Sequence, residues 1–168
     1  LWTGRTQAEV MAMIPQFSET ETGAFAAPPA GTADALGVLM FNMERGVNMQ
    51  EILEFLRDCP DIQPFDLILA NELDDGCARS GNRNTALALA QAFGLNYAWG
   101  LEFIELVNDE NAKGFHGNAV FSRWPIRRAG VIRLPEQYNW YFDRQKRIGG
   151  RMAVYAELDI GGQAVGAA

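Results

Sequence analysis

Asn42 and Glu72 stand 30 positions apart, at the ends of two short apolar runs, LGVLMFNM (residues 36–43) and DLILAN (residues 66–71). If these runs are parallel strands joined through a helix, their carboxyl ends open on one crevice, the usual ligand site of such sheets. An amide oxygen and a carboxylate then meet there, backed by Glu44, Asp74 and Asp75. Hard oxygen donors of this kind suit Mg²⁺ or Mn²⁺. The same residues have a plainer use, with Glu72 capping its strand and Asn42 bonding a loop backbone. Spacing alone leans to that use, because polar residues at strand ends are common.

Charge near this pair is uneven. Arg79 and Arg83 lie in the turn GCARSGNRN (residues 76–84), where they can clamp an anionic substrate or simply neutralise Asp74 and Asp75. No GxGxxG or Walker sequence is present. Between residues 123 and 151 there are eight basic residues against two acidic ones, interleaved with Tyr138, Trp140, Tyr141 and Phe142. Such a stretch can follow a phosphate backbone and stack on bases. It can equally be a solvated, charge-protected edge strand with the aromatics packed beneath it.

His116 is the chain's single histidine and sits in a Gly-flanked turn, KGFHGN. It has the chemistry of a general base or phosphate donor, but no Asp or Glu partner is evident around it. A loop-fixing hydrogen bond is the expectation. One histidine and two cysteines, Cys59 and Cys77, exclude a Cys/His zinc cluster of the usual spacings and a disulfide scaffold. Neither thiol has the setting of a nucleophile, and a single disulfide between them stays open.

The elements that must position these groups follow from periodicity. The run 36–43 reads as a strand buried on both faces. Met49, Ile52, Leu53 and Leu56 then recur at helical spacing, and that helix must stop before Cys59-Pro60. With residues 66–71 as the next strand, the order gives a βαβ unit with parallel strands. A second helix is expected from the N-cap Asn84 to Phe93, buried along Ala86, Leu89, Ala90 and Phe93 and stopped by Gly94. Strands follow at about 97–103, 118–122, 130–134 and 151–160. In the last, Met152, Val154, Ala156, Leu158 and Ile160 alternate toward a core. The architecture is mixed α/β, parallel at first and antiparallel later. Residues 1–35, rich in Gly, Ala, Thr and Pro, read as a largely irregular leader or linker with a short helical possibility at 8–14.

At 168 residues, 48% apolar and 21% charged, with a formal net charge of -7, the composition is that of one ordinary globular domain, neither disordered nor collagen-like. No uninterrupted apolar run is long enough to cross a bilayer as a helix. The chain begins at Leu1 and ends just after the turn at Gly161-Gly162, inside what reads as another strand, so a fragment cut at both ends is expected. The compartment stays open for the same reason. Net acidity argues against a general DNA-coating protein, although a local basic stripe suffices for a nuclease.

Taken in order, LGVLMFNM with its terminal Asn42, FDLILANE ending in Glu72, HGNAVFSRWPI (residues 116–126) and RMAVYAEL (residues 151–158) resemble the endonuclease/exonuclease/phosphatase superfamily. Deoxyribonuclease I, abasic-site endonucleases, neutral sphingomyelinases and inositol polyphosphate 5-phosphatases belong to it. The third segment is the most distinctive. The resemblance covers about residue 36 to the C-terminus and implies a deoxyribonuclease I-like two-sheet sandwich flanked by helices, truncated at its C-terminus. It also implies a Mg²⁺ or Mn²⁺ site, with Asn42 and Glu72 matching the family's metal-site residues and Glu44 near the metal. Arg79, Arg83, Asn118 and Arg151 become the substrate-binding candidates.

The implied activity is metal-dependent phosphoester hydrolysis. Nucleic acid ranks ahead of a phospholipid head group or inositol phosphate, and no protein partner is implied. The family's second half supplies a strand with His-Leu, an Asp-x-Asn segment and a terminal Asp-His pair, and none of these comes after RMAVYAEL here. The general base is therefore missing from these residues, and inactivity of this chain alone is the expectation. A non-catalytic interaction module on the same scaffold is the alternative.

Overall fold

A computed structural model describes residues 4–27, 29, 33–135 and 146–168. The elements in chain order are α1 (Gln7–Met11), β1 (Thr20–Gly23), β2 (Val38–Arg45), α2 (Met49–Asp58), β3 (Leu67–Asp75), α3 (Thr85–Phe93) and β4 (Asn96–Glu105). Then come β5 (Phe115–Ser122), β6 (Ile126–Arg133), β7 (Arg147–Gly149), β8 (Met152–Ile160) and β9 (Gln163–Ala167). The larger sheet runs β1-β4-β5-β3-β2 with β7 added beside β4, and a smaller sheet runs β6-β8-β9. β2 and β3 are parallel, from Val38 opposite Leu67 to Asn42 opposite Asn71. The other pairings are antiparallel.

Local chemistry sets the element ends. α2 buries Met49 and Leu56, packs Ile52 and Leu53 on the core, and stops at Asp58 because Cys59, preceding Pro60, is driven to extended geometry (φ -82°, ψ 108°). The Asn84 side chain accepts the Leu87 N–H at 2.9 Å and caps α3. Gly94 closes that helix in the left-handed region at φ 60°.

Two cores result. One face of the larger sheet packs Ile68, Ala70, Trp99, Leu101 and Phe121 against the helices through Leu56, Ala86 and Leu89. The opposite face meets the smaller sheet through Ala98, Val120, Met152, Val154, Ala156 and Leu158. The alternation expected for β8 holds, with Met152, Val154, Ala156, Leu158 and Ile160 all buried.

Two expectations need correction. Residues 4–27, within the segment expected to be a largely irregular leader, are ordered: Thr6 and Glu9 form a capping box on α1, Val10 and Phe17 are buried in the main core, and β1 pairs with β4 from Thr20 opposite Gly100 to Gly23 opposite Tyr97. The partners that order this segment lie some 80 positions away in β4, beyond the reach of a local composition reading. Nor is β2 buried on both faces. Leu39, Phe41 and Met43 face the helical core, but Val38 and Met40 are 51% and 74% exposed. β2 is the edge of its sheet, and the smaller sheet lies across β4 and β5 instead.

Candidate active site

Three strands of the larger sheet lose regular register at the same level. Between Asn42 and Arg45, β2 spends an extra residue against β3; between Ala70 and Leu73, β3 spends one against β5; between Leu101 and Phe103, β4 spends one against β5. A bulge reverses the inside–outside parity of the residues beyond it and re-aims their side chains, which is why bulges gather beside active sites. Here the parity change lets Ala70 and Leu73 both enter the helical core while Glu72 between them is turned outward. The backbone carries the strain: Glu44, Arg45 and Glu72 have φ of 46°, 65° and 58°, a region that non-glycine residues occupy at a cost. Asn118 on β5 steadies this arrangement by accepting the Glu72 N–H at 3.2 Å. Gly117 beside it must lack a side chain, since a Cβ there would lie 2.0 Å from the Gly100 carbonyl oxygen.

The bulged end opens on a cleft of about 480 Å³ walled by Arg45, Glu72, Arg79, Phe103, Glu105, Val107, His116, Lys146, Arg147 and Arg151. Five cations face two carboxylates there, in a chain whose net charge is -7. Behind the wall runs a buried polar network. Arg79 grips Asp74 with Nε at 2.6 Å and Nη2 at 3.0 Å, and reaches Glu105 at 3.3 Å. His116 Nδ1 lies 2.7 Å from Oδ1 of the same carboxylate, the oxygen that Arg79 Nη2 also reaches. Arg151 donates to the buried Glu102 at 2.9 Å.

Burial works against the charge on Asp74, but hydrogen bonds from His116 and Arg79 outweigh it and hold the carboxyl below its usual range. Burial lowers Arg147 to about 10, which leaves it cationic at neutral pH. The Cys77 thiol, buried and beside Asp74, is pushed up to about 12 and donates to the Phe115 carbonyl at 3.3 Å. It is an inert thiol. Both cysteines are unpaired thiols.

Sequence reasoning missed a partner for His116, although Asp74 lies opposite it in the β3–β5 ladder. The two are 42 residues apart, and only the antiparallel register brings them together. Of the candidates named from the sequence, Glu72, Arg79 and Arg151 share the cleft wall, and Asn118 holds the Glu72 backbone from behind. Asn42 pairs with Asn71, one step before Glu72, and its Oδ1 accepts the Glu44 N–H at 2.9 Å. Neither Asn42 nor Glu44 is on the wall, and Arg83 lines a separate depression of about 160 Å³ beside α2 and α3.

Of the basic stretch, Arg123, Arg127 and Arg128 pair with Asp66, Asp159 and Glu157. Arg133 is spent on the carbonyls of Phe17, Leu101, Glu102 and Gly150. Lys146, Arg147 and Arg151 face the cleft. Arg144 and the aromatics Tyr138, Trp140, Tyr141 and Phe142 lie outside the described residues.

A divalent cation is compatible with this donor set only in an open form. Among the described residues, no three His, Cys, Asp or Glu side chains gather into a ligand group. Mg²⁺ does not require one: it keeps several waters and takes one or two protein carboxylates, completing its shell with substrate oxygens. Glu72, with the Asn42 amide on the adjacent strand, fits that pattern.

No protein-family model matches the sequence, and no curated protein matches it significantly. A solved structure described as an endonuclease/exonuclease/phosphatase from Beutenbergia cavernae DSM 12333 superposes with a TM-score of 0.55 at 19% identity. The match covers 77% of this chain and 36% of that one, so the chain spans about a third of the neighbour's length. The fold is therefore like that of this neighbour, a two-sheet α/β sandwich with helices packed on the larger sheet, as expected from the sequence.

Proposed function

We propose that this chain holds a phosphoester for divalent-metal-dependent hydrolysis, with Mg²⁺ or Mn²⁺ as cofactor. The observation that carries the reading is the cleft itself, where Arg45, Arg79, Lys146, Arg147 and Arg151 share the wall with Glu105 and with the outward-turned Glu72 on a bulged sheet end. In an acidic chain, a concentration of cations of this kind is a site for an anion. The fold neighbour's description, endonuclease/exonuclease/phosphatase, supports the same chemistry.

Glu72 and Asn42 are the residues that would hold the cation, with Glu44 close by. When bound, the cation polarises a phosphoryl oxygen and eases attack on phosphorus. Arg151, Arg147 and Lys146 bind the phosphoryl group and offset the charge that grows on it. Arg79, tied to Asp74 and Glu105, keeps its guanidinium fixed at the wall. A phosphodiester such as a nucleic-acid backbone is the first substrate class, ahead of phospholipid head groups and inositol phosphates.

We further propose that these 168 residues bind without turning over, since of the two carboxylates on the described wall Glu105 is held by Arg79, which leaves Glu72 to serve both metal and water. The test is calorimetric titration with Mn²⁺ together with a chromogenic phosphodiester assay. Saturable Mn²⁺ binding that Glu72→Gln abolishes, without cleavage, is the expected result. No binding by the unsubstituted chain would overturn the metal site, and Mg²⁺-dependent cleavage would overturn the inactivity.

A further inference from the structure

His116 has a setting that metal and guanidinium chemistry leave unused. It is buried, it stands on β5 directly opposite Asp74 on β3, and its ring forms part of the cleft wall. The Arg79 guanidinium donates to both Asp74 oxygens, to Oδ2 at 2.6 Å and to Oδ1 at 3.0 Å, the fork geometry of a guanidinium on an ionised carboxylate. An ionised carboxylate only accepts hydrogen bonds, so the proton between the pair sits on Nδ1, which donates to Asp74 at 2.7 Å. That assignment makes Nε2 the variable nitrogen, bare in the neutral ring and a donor in the imidazolium. Among the described residues, Asp74 is the one hydrogen-bond partner of the ring, through Nδ1.

The ring is also fixed in orientation. Phe103 from β4 stacks on it with centroids 4.5 Å apart and planes 28° from parallel. Phe103 in turn carries the Arg147 guanidinium 4.1 Å from its ring centre. An imidazole pinned at one nitrogen by a carboxylate and on its face by an aromatic ring has lost its rotational freedom. Such pre-organisation is costly for a residue that only fills space, and it is what a ligand contact requires. The charged groups of the cleft around it are Arg45 on β2, Glu72, Asp74 and Arg79 on and just after β3, Glu105 on β4, and Lys146, Arg147 and Arg151 around β7.

We propose that His116 Nε2 is a contact for a phosphoryl oxygen in this cleft, with Asp74 as its positioning residue. The inference rests on the phosphoester reading of the cleft and adds a residue to it. In the bound state both ring nitrogens carry protons: Nε2–H donates to the phosphoryl oxygen while Nδ1–H stays on Asp74. Charge-assisted hydrogen bonds of this type are among the stronger ones.

A single histidine makes the test unambiguous, because the imidazole ¹⁵N signals belong to His116 alone. The labelled 168-residue chain is titrated with inorganic phosphate at constant ionic strength, and affinity is read independently by calorimetry. The expected result is that the Nε2 resonance shifts as phosphate is added, saturates along the calorimetric isotherm and is that of a protonated nitrogen in the bound state. His116→Gln then weakens phosphate by roughly tenfold or more. Asp74→Asn alters the Nδ1 signal of the free protein and weakens phosphate less. Phosphate binding with Nε2 unmoved would overturn the proposal alone and leave the cleft an anion site. Absence of phosphate binding would overturn the phosphoester reading and this inference with it. The Nε2 measurement needs no variant, so a poorly folding substitution cannot blur the outcome.

Discussion

β2 and β3 have nearly the same apolar run and pair in parallel, yet they end in opposite situations. β3 is flanked by β2 and β5, backed by the helices on one face and partly covered on the other, and its bulged end supplies Glu72 and Asp74 to a polar network. Among the described residues, β2 has an unpaired edge and an uncovered face bearing Val38 and Met40. The difference teaches that an apolar strand sequence reports the capacity to be buried, while the number of neighbours decides whether burial happens. It also separates where this molecule stores stability from where it exposes surface.

The comparison breaks most sharply at Asp74. Asp74→Ala leaves Arg79 and His116 facing a buried gap, and should cost about 3–4 kcal/mol of unfolding free energy in a urea titration. The pH dependence comes from the lowered carboxyl: a folded value below the ordinary 3.8 means its stabilisation is present above that value and is lost as pH falls through the folded one. Unfolding midpoints measured from pH 6 down through the carboxylate range, about 4 and below, should therefore drop more steeply for the unsubstituted chain than for Asp74→Asn.

Ile68→Ala, also on β3 but within the helical core, should cost about 2–3 kcal/mol by the same titration. Asn118→Ala removes the acceptor of the strained Glu72 N–H and is worth about 1 kcal/mol. The smallest effect is expected on β2, where Met40→Gln should leave stability within about 0.5 kcal/mol while reducing self-association in analytical ultracentrifugation. A loss at Met40 as large as that at Ile68 would mean that the β2 face is covered in solution.

Of the residues named from the sequence, Glu72, Arg79 and Arg151 share the cleft wall, and Asn42, Glu44 and Arg83 do not. The apolar runs placed Asn42 and Glu72 on neighbouring parallel strands, and the register bears out that adjacency through Asn42 opposite Asn71. The helix limits at Asp58 and at Asn84 and Gly94 were legible too, since Pro60, the Asn84 cap and the Gly94 stop act through bonds and sterics within a few residues. Illegible were the contacts closed by long loops. β1 finds β4 across some 80 positions, His116 finds Asp74 across 42, and Arg151 finds Glu102 across 49.

What the sequence determined by itself, then, is the order of the elements with strong local signals, from β2 onward, because periodicity, caps and prolines work over a turn or two of chain; β1 and β7 carry no such signal. The tertiary structure decided which polar residues face one another and which apolar ones stay wet. Three bulges at one level turned Glu72 outward and Asp74 toward His116, and a single residue of register reverses the face of every side chain beyond it. Pairing across distant strands is settled by the packing of the whole sheet, so the cleft exists only once the chain has folded.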